Sequence, residues 1–256
     1  MCLVVFAWQV DPHFPLILAA NRDEQHGRPA EPMSWWADRP DVLAGRDLQA
    51  GGTWLAVSRR GRFATVTNYR EHQRPAPGLS SRGDLVTDFV DGEAAAGDFL
   101  SDVAGERYAG FNLLAGDGES LWYASNRGDG PLPLEPGIYG LSNASLDAPW
   151  WKLIRTRESL RDLVSDGEAS ESTLLRLLAD RETAPASDIE PGDLPFDIAR
   201  AESAPFIVND IYGTRCTTTV MWASDGSIDV AESRFDPTGR SVGRSSFRLS
   251  RDDAQP

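Results

Sequence analysis

Met1-Cys2-Leu3-Val4-Val5-Phe6-Ala7-Trp8 opens the chain, and Leu16-Ile17-Leu18-Ala19-Ala20 follows across the turn-like cluster Asp11-Pro12-His13. Two short apolar runs around a turn read as paired strands, the first headed by a cysteine. Methionine removal would make Cys2 the N-terminus, with a thiol and a free α-amine on one residue. Such an amine titrates near ~7.7–8.0 and is a base beside a nucleophile. The bland alternative is a sulfur acting as a small hydrophobe at the head of an apolar strand.

Working outward, Asn21 to about Arg46 reads as a polar, Pro-containing loop that holds Trp35 and Trp36. Trp54–Ser58 and Arg62–Thr67 form a hairpin across Arg60-Gly61, and the turn-rich Arg74–Gly78 leads into helix. Leu85, Val86, Phe89 and Val90 recur at helical spacing, with a second short helix over Asp98–Val103. Strands follow at Phe111–Leu114, Leu121–Tyr123 and Ile138–Leu141, then helices near 149–165 and 172–181. Residues 184–205 read as a long surface loop, and strands return at 215–223, 227–234 and 245–249. Hairpins interrupted by helix pairs suit an α+β fold, a four-layer αββα sandwich of two antiparallel sheets between helical layers. With no repeat and no linker, residues 1–256 are expected to form a single domain, the first strand central and its N-terminal residue opening into a cleft.

Composition sets the partners. A formal net charge of −14 argues against nucleic acid and anionic membranes. No apolar run approaches the ~20 residues of a membrane span, and the start lacks a signal peptide. A cytoplasmic protein without stable membrane insertion is expected. Lys152 is the sole lysine, the other basic residues being Arg, a bias that halophily or GC-rich coding would each produce. The two cysteines suggest no disulfide framework. His13, His26 and His72 lack metal-protease spacing, and no P-loop or dinucleotide fingerprint occurs. No metal is expected.

Several polar clusters are candidates. In Asn21-Arg22-Asp23-Glu24 a carboxylate would orient the Cys2 amine or thiol, and an arginine would lower the thiol pKa or hold a substrate carboxylate. The alternative is a charged surface loop. Asn68 and Asn143 end strands, where an amide or N–H serves as an oxyanion donor or merely caps a turn. Arg215 enters a late strand to bind an anion or cap a sheet edge, and Cys216 beside it is either reactive or buried and inert.

Together the segments resemble the NRDE family, also called the transport and Golgi organisation 2 (TANGO2) family. The resemblance rests on Met1-Cys2, Asn21–Glu24, Gly51–Leu55, Thr67–Arg70, Ser81-Arg82-Gly83, Gly110–Leu114, Tyr139–Ala144, Pro149–Lys152 and Tyr212–Thr219, in order over roughly residues 1–235. That family is similar to the N-terminal nucleophile (Ntn) hydrolases, nearest the bile-salt hydrolase and penicillin V acylase branch. The resemblance implies Cys2 as nucleophile with its α-amine as base, and Asp23 holding the cysteine. It implies Asn68 (main-chain N–H) and Asn143 (side chain) as the oxyanion pair, and Arg215 as the late arginine. That branch carries an arginine three residues before the aspartate, where this chain has Ala20. Arg22, adjacent to Asp23 and hence on the opposite face of an extended segment, would then fall outside the pocket. Candidate substrate-binding residues are Arg22, Trp35, Trp36 and Trp54.

Two functions are expected from different classes. One is an amidohydrolase cutting a C–N bond of a small acyl substrate, with no required cofactor. The other is a non-catalytic carrier or trafficking protein that uses the same cleft for haem or an acyl chain or lipid, with haem as the transported ligand.

Overall fold

The computed structural model describes residues 2–71, 76–128, 130–189, 192 and 194–250. Met1 and part of the turn-rich stretch expected at 74–78 lie outside the described residues.

One sheet has six strands: β1 (Cys2–Trp8), β2 (Leu16–Gln25), β10 (Gly137–Leu141), β11 (Tyr212–Trp222), β12 (Ile228–Phe235) and β13 (Ser241–Leu249). Their spatial order is β10-β1-β2-β11-β12-β13, antiparallel throughout. The second has seven: β3 (Ala30–Trp35), β4 (Val42–Asp47), β5 (Leu55–Ser58), β6 (Phe63–Asn68), β7 (Phe111–Gly116), β8 (Leu121–Ser125) and β9 (Leu132–Pro133), in sequence order.

Period-two alternation explains why these strands stack as layers. In β1 and β2, Val4, Phe6, Trp8, Leu16, Leu18 and Ala20 turn toward the second sheet and meet Leu43, Leu55, Val57 and Phe63. Alternate residues Leu3, Val5, Ile17 and Ala19 turn outward onto α3 (Trp151–Ser165) and α4 (Glu171–Leu178). The other sheet does the same, setting Ala64, Val66 and Leu113 against α1 (Arg82–Asp91) and α2 (Ala96–Asp102). A strand buried on both faces has to be apolar at nearly every position, which is the pattern of Leu3–Trp8. Burying a side chain such as Phe6 or Phe63, both 0% exposed, stabilises by about 1.5–3 kcal/mol. The four-layer αββα sandwich expected from the sequence is the observed fold.

Two local expectations are corrected. The polar stretch from Asn21 to Arg46 is not one loop, because β2 continues through Gln25 and β3 and β4 follow. Its polar strand residues are buried with partners: Asn21 donates to Leu178 O and Pro205 O, each at 2.9 Å, and accepts from Thr217 at 2.5 Å. β3 tolerates Pro32 because it is an edge strand with a register shift between Glu31 and Ser34. The surface loop expected at 184–205 holds, among its described residues, a 3-10 turn at Ala186–Asp188 and a short helix, α5 (Phe196–Glu202).

Candidate active site

Cys2 starts β1 directly opposite Arg22 on β2, and Arg22 also pairs with Cys216 on β11. All three even-numbered positions face the second sheet. Cys2 is partly exposed and borders a cavity of about 340 Å³, whose walls include Arg22, Asp23, Trp54, Asn68 and Arg82. Burial holds its thiol pKa above the usual value and the Asp23 charge adds to this, against the smaller lowering influence of the Asp23 backbone N–H and the Arg22 charge.

Asn143 links Cys2 to the opposite sheet. Its Oδ1 accepts the Cys2 backbone N–H at 3.1 Å, and its Nδ2 donates to the Asn68 carbonyl at 2.6 Å. Ser142 Oγ donates to Cys2 O at 2.7 Å, so the start of β1 is held at both backbone groups. Asn143 sits just past the end of β10 and is 2% exposed. One of its two amide hydrogens is committed to Asn68, which leaves one for chemistry.

Asp23 lies on the helix-facing side of β2, 3% exposed, with Thr214 Oγ1 donating to its Oδ1 at 2.7 Å. Burial raises its pKa to about 6, against the lowering influence of Lys152. Lys152 itself is 2% exposed in the first turn of α3, and its Nζ donates to Glu202 O at 2.8 Å. Burial drives its pKa down, and the carboxylates of Asp23 and Glu202 oppose that shift.

Arg22 stands inside the pocket, which overturns the expectation that it falls outside. The alternation is real, but the cavity opens at the end of β2 and takes residues from both faces. Its guanidinium lies 4.2 Å from the centre of the Trp54 ring and donates to Asp47 Oδ2 at 3.2 Å. The same oxygen accepts Arg28 Nε at 2.6 Å. Burial works against ionisation of Asp47, but Arg28 and the N–H groups of Ala50 and Gln49 outweigh it and hold its pKa low.

The wall opposite Cys2 is built by backbone contact. A Cβ on Gly52 would lie 2.6 Å from Gly83 C, and one on Gly83 would lie 2.8 Å from Thr53 N. Only glycine at both positions lets the Gly51–Leu55 segment press onto the start of α1, which Ser81 caps by accepting from Gly83 N–H at 3.2 Å. This contact sets Ser80, Ser81 and Arg82 along the cavity.

Three candidate residues lie elsewhere. Trp35 packs edge-on against Phe247 and under Arg59. Trp36 is 5% exposed in the core beneath α1, with its Nε1 donating to Ala44 O. Neither borders the Cys2 cavity, because β3 carries them to the far edge of the second sheet. Arg215 is the extra residue at a bulge between Thr214 and Cys216. Its Nη1 donates to Gln25 O at 2.8 Å and Arg28 O at 3.1 Å, so it secures the β2–β3 connection and does not border the cavity. Cys216 is 4% exposed, and burial pushes its thiol pKa well up, which favours the inert reading.

Sequence reasoning passed over Lys152, Arg82 and Asp47. A signal existed for Lys152, the one lysine among many arginines. A second cavity of about 580 Å³ borders Lys152, Arg70, Trp150, Trp151, Ile154 and Ile189. Among the described residues no cluster of three or more His, Cys, Asp or Glu side chains is placed to hold a metal ion, and no helix is long and apolar enough to cross a membrane.

Comparison with known proteins follows the same lines. Residues 1–237 match the family model described as Transport and Golgi organisation 2. A Bos taurus protein, Transport and Golgi organization protein 2 homolog, is 35% identical over 97% of this chain and 99% of its own length. The Homo sapiens homolog is 34% identical over 91% of this chain and 92% of its own. Among solved structures, a mutant of the conjugated bile acid hydrolase from Clostridium perfringens superposes with a TM-score of 0.55 at 7% identity, covering 97% of this chain and 92% of that one. A Caenorhabditis elegans ortholog of N-acylethanolamine-hydrolyzing acid amidase gives 0.50 at 11% identity, covering 85% and 92%. At such identities the likeness establishes the fold, that of the Ntn hydrolases.

Proposed function

The chain belongs to the Transport and Golgi organisation 2 family, and we propose that it acts as an N-terminal-cysteine amidohydrolase on a C–N amide bond of a small acyl substrate. The observation that carries this reading is the placement of Cys2. Its backbone nitrogen is held by Asn143 Oδ1, its thiol is within reach of the Asp23 N–H, and its side chain borders an open cavity.

Removal of Met1 turns the Cys2 nitrogen into an α-amine. That amine takes the thiol proton as sulfur attacks the carbonyl carbon. The Asn68 N–H and the second amide hydrogen of Asn143 donate to the oxyanion. Collapse breaks the C–N bond, the ammonium protonates the leaving amine, and a thioester remains on Cys2. Water, deprotonated by the α-amine, then releases the acid and restores the thiol. Asp23, ionised and backed by Lys152, holds the α-ammonium in place between steps.

Incubating the purified full chain with a panel of N-acyl amides, quenching in acid and measuring intact mass tests the reading. The expected species lacks Met1 and carries one acyl group on Cys2. A Cys2→Ala protein that hydrolysed an identified amide at full rate would overturn it.

A carrier of haem or an acyl chain is the second reading, and the larger cavity favours it, since Trp150, Trp151, Ile154 and Ile189 give it apolar walls. That cavity is a different one from the cleft at Cys2 expected for a carrier, and neither Trp35 nor Trp36 borders it. Stoichiometric retention of haem or a fatty acyl ligand without turnover would favour it.

A further inference from the structure

Among the described residues three arginines border the Cys2 cavity, and two of them are spoken for. Arg22 and Arg28 share the Asp47 carboxylate, and Arg28 also lies 3.8 Å from Glu24. Arg82 differs. Its Nη1 donates to the Gly110 carbonyl at 3.0 Å, and no carboxylate of the described residues forms an ion pair with it. Glu71, the nearest acidic candidate, is engaged by Arg127 at 2.6 Å and by Gly110 N–H at 2.9 Å. Burial pushes the Arg82 guanidinium pKa down, and the Cys2 thiolate is the leading charge that opposes this.

The position is held firmly. Ser81 caps α1, Gly83 is locked against Gly52, and the Gly110 carbonyl fixes one guanidinium nitrogen. In a chain of net charge −14, this half-buried arginine beside Cys2 has no carboxylate partner among the described residues, and its bond to Gly110 engages only one of its five N–H donors. A guanidinium with one nitrogen engaged keeps a planar edge for a two-pronged contact with one carboxylate.

We propose that Arg82 is the residue that recognises a carboxylate on the substrate, so that the amide accepted at Cys2 is an anionic one, with its carboxylate close to the scissile bond. This rests on Cys2 as the nucleophile. It also answers the absence of an arginine at position 20, because the anion is met from α1 across the cavity instead of from β2.

Iodoacetate and iodoacetamide separate the possibilities, since they differ only in an anionic carboxylate against a neutral amide. Cys2 labelling by each is followed by intact mass and peptide mapping, with free N-acetylcysteine as reference, on the wild type, Arg82→Gln and Arg82→Lys. The expected result is an iodoacetate-to-iodoacetamide rate ratio about ten-fold above the reference, a factor equivalent to ~1.4 kcal/mol. Arg82→Gln brings the ratio down to the reference, and Arg82→Lys, matched to wild type in thermal melting, retains part of it. A wild-type ratio equal to the reference with fast iodoacetamide labelling overturns the carboxylate site and leaves the nucleophile intact. So does a raised ratio that survives in Arg82→Gln. Slow labelling by both reagents overturns the nucleophile reading, and the proposal with it.

Discussion

Asn143 joins the two sheets at Cys2: its Oδ1 receives the Cys2 backbone N–H at 3.1 Å, and its Nδ2 reaches the Asn68 carbonyl at 2.6 Å. One amide therefore fixes the distance between the start of β1 and the strand end that faces it. Asn143→Ala removes both bonds from a site that is 2% exposed, and a loss of about 1–3 kcal/mol in stability is expected. Under the proposed mechanism the effect on turnover is larger, about 10²–10³-fold in kcat, because an oxyanion donor and the anchor of the amine go together. Denaturant unfolding and single-turnover kinetics on the same samples check both numbers. A variant that loses stability but keeps its rate would reduce Asn143 to a structural tie.

Asp23 supplies a pH signature. Its pKa stands at about 6, raised from 3.8 by burial, so its carboxylate is available to hold an α-ammonium only above that pH. Cys2 labelling is expected to rise through about pH 6. In Asp23→Asn that limb is absent, and the remaining rise follows the amine near ~7.7–8.0. Stability moves the opposite way. A raised carboxyl pKa favours the folded state at low pH, and that contribution is lost as the pH climbs from 3.8 through about 6. Wild type should therefore lose stability over this window relative to Asp23→Asn, and melts at pH 4 and pH 6.5 measure the difference.

Lys152 is the charge behind Asp23. A lysine in the first turn of a helix opposes the helix dipole, and here it is buried as well, so its retention calls for a compensating partner. Lys152→Met keeps the length and removes the charge. Without it Asp23 ionises at higher pH, so the acid limb of Cys2 labelling moves up from about 6. Lys152→Met also leaves the partly buried Glu202 carbonyl without its donor, a cost of about 1–3 kcal/mol, on the order of 5 °C in Tm for a chain of this size. Lys152→Arg restores the charge and should return the limb toward its original pH even where the melt stays low. A limb that does not move in Lys152→Met, in protein shown to be folded, would disconnect the two residues.

The two-sheet core was legible because strands such as Leu3–Trp8 and Phe63–Val66 are apolar on both faces, a pattern that burial between layers enforces. The strands that shape the site were not. Asn21, Arg22 and Asp23 look like loop residues, yet they continue β2 because Thr217, Asp47 and Thr214 satisfy them from other parts of the chain. Partners so distant in sequence leave no local trace. Cys2, Asp23, Asn68 and Asn143 were found through their motifs and do gather at one place. Trp35 and Trp36 were assigned by chain proximity to the pocket, which an intervening edge strand defeats. The isolation of Lys152 among arginines was read as habitat, whereas a compact, strongly hydrated ammonium whose pKa shifts on burial has different uses from a guanidinium.

The Gly52–Gly83 contact offers a test that leaves every polar group of the site in place. A Cβ on Gly52 would come within 2.6 Å of the Gly83 carbonyl carbon, and one on Gly83 within 2.8 Å of Thr53 N. Both obstacles are backbone, which cannot rotate away, so each alanine pushes the start of α1 off the Gly51–Leu55 segment. Gly52→Ala and Gly83→Ala are each expected to cost about 1–3 kcal/mol. The double variant does no better, because each methyl meets main chain and neither fills a hole left by the other. Gly27, whose Cβ would meet nothing within 4 Å, serves as the control, and Gly27→Ala should melt close to wild type. The functional consequence is displacement of Arg82 from the cavity wall, so the iodoacetate preference at Cys2 should fall in Gly83→Ala while labelling by iodoacetamide continues. Unchanged preference in a destabilised Gly83→Ala protein would show that the wall can move without carrying Arg82 with it.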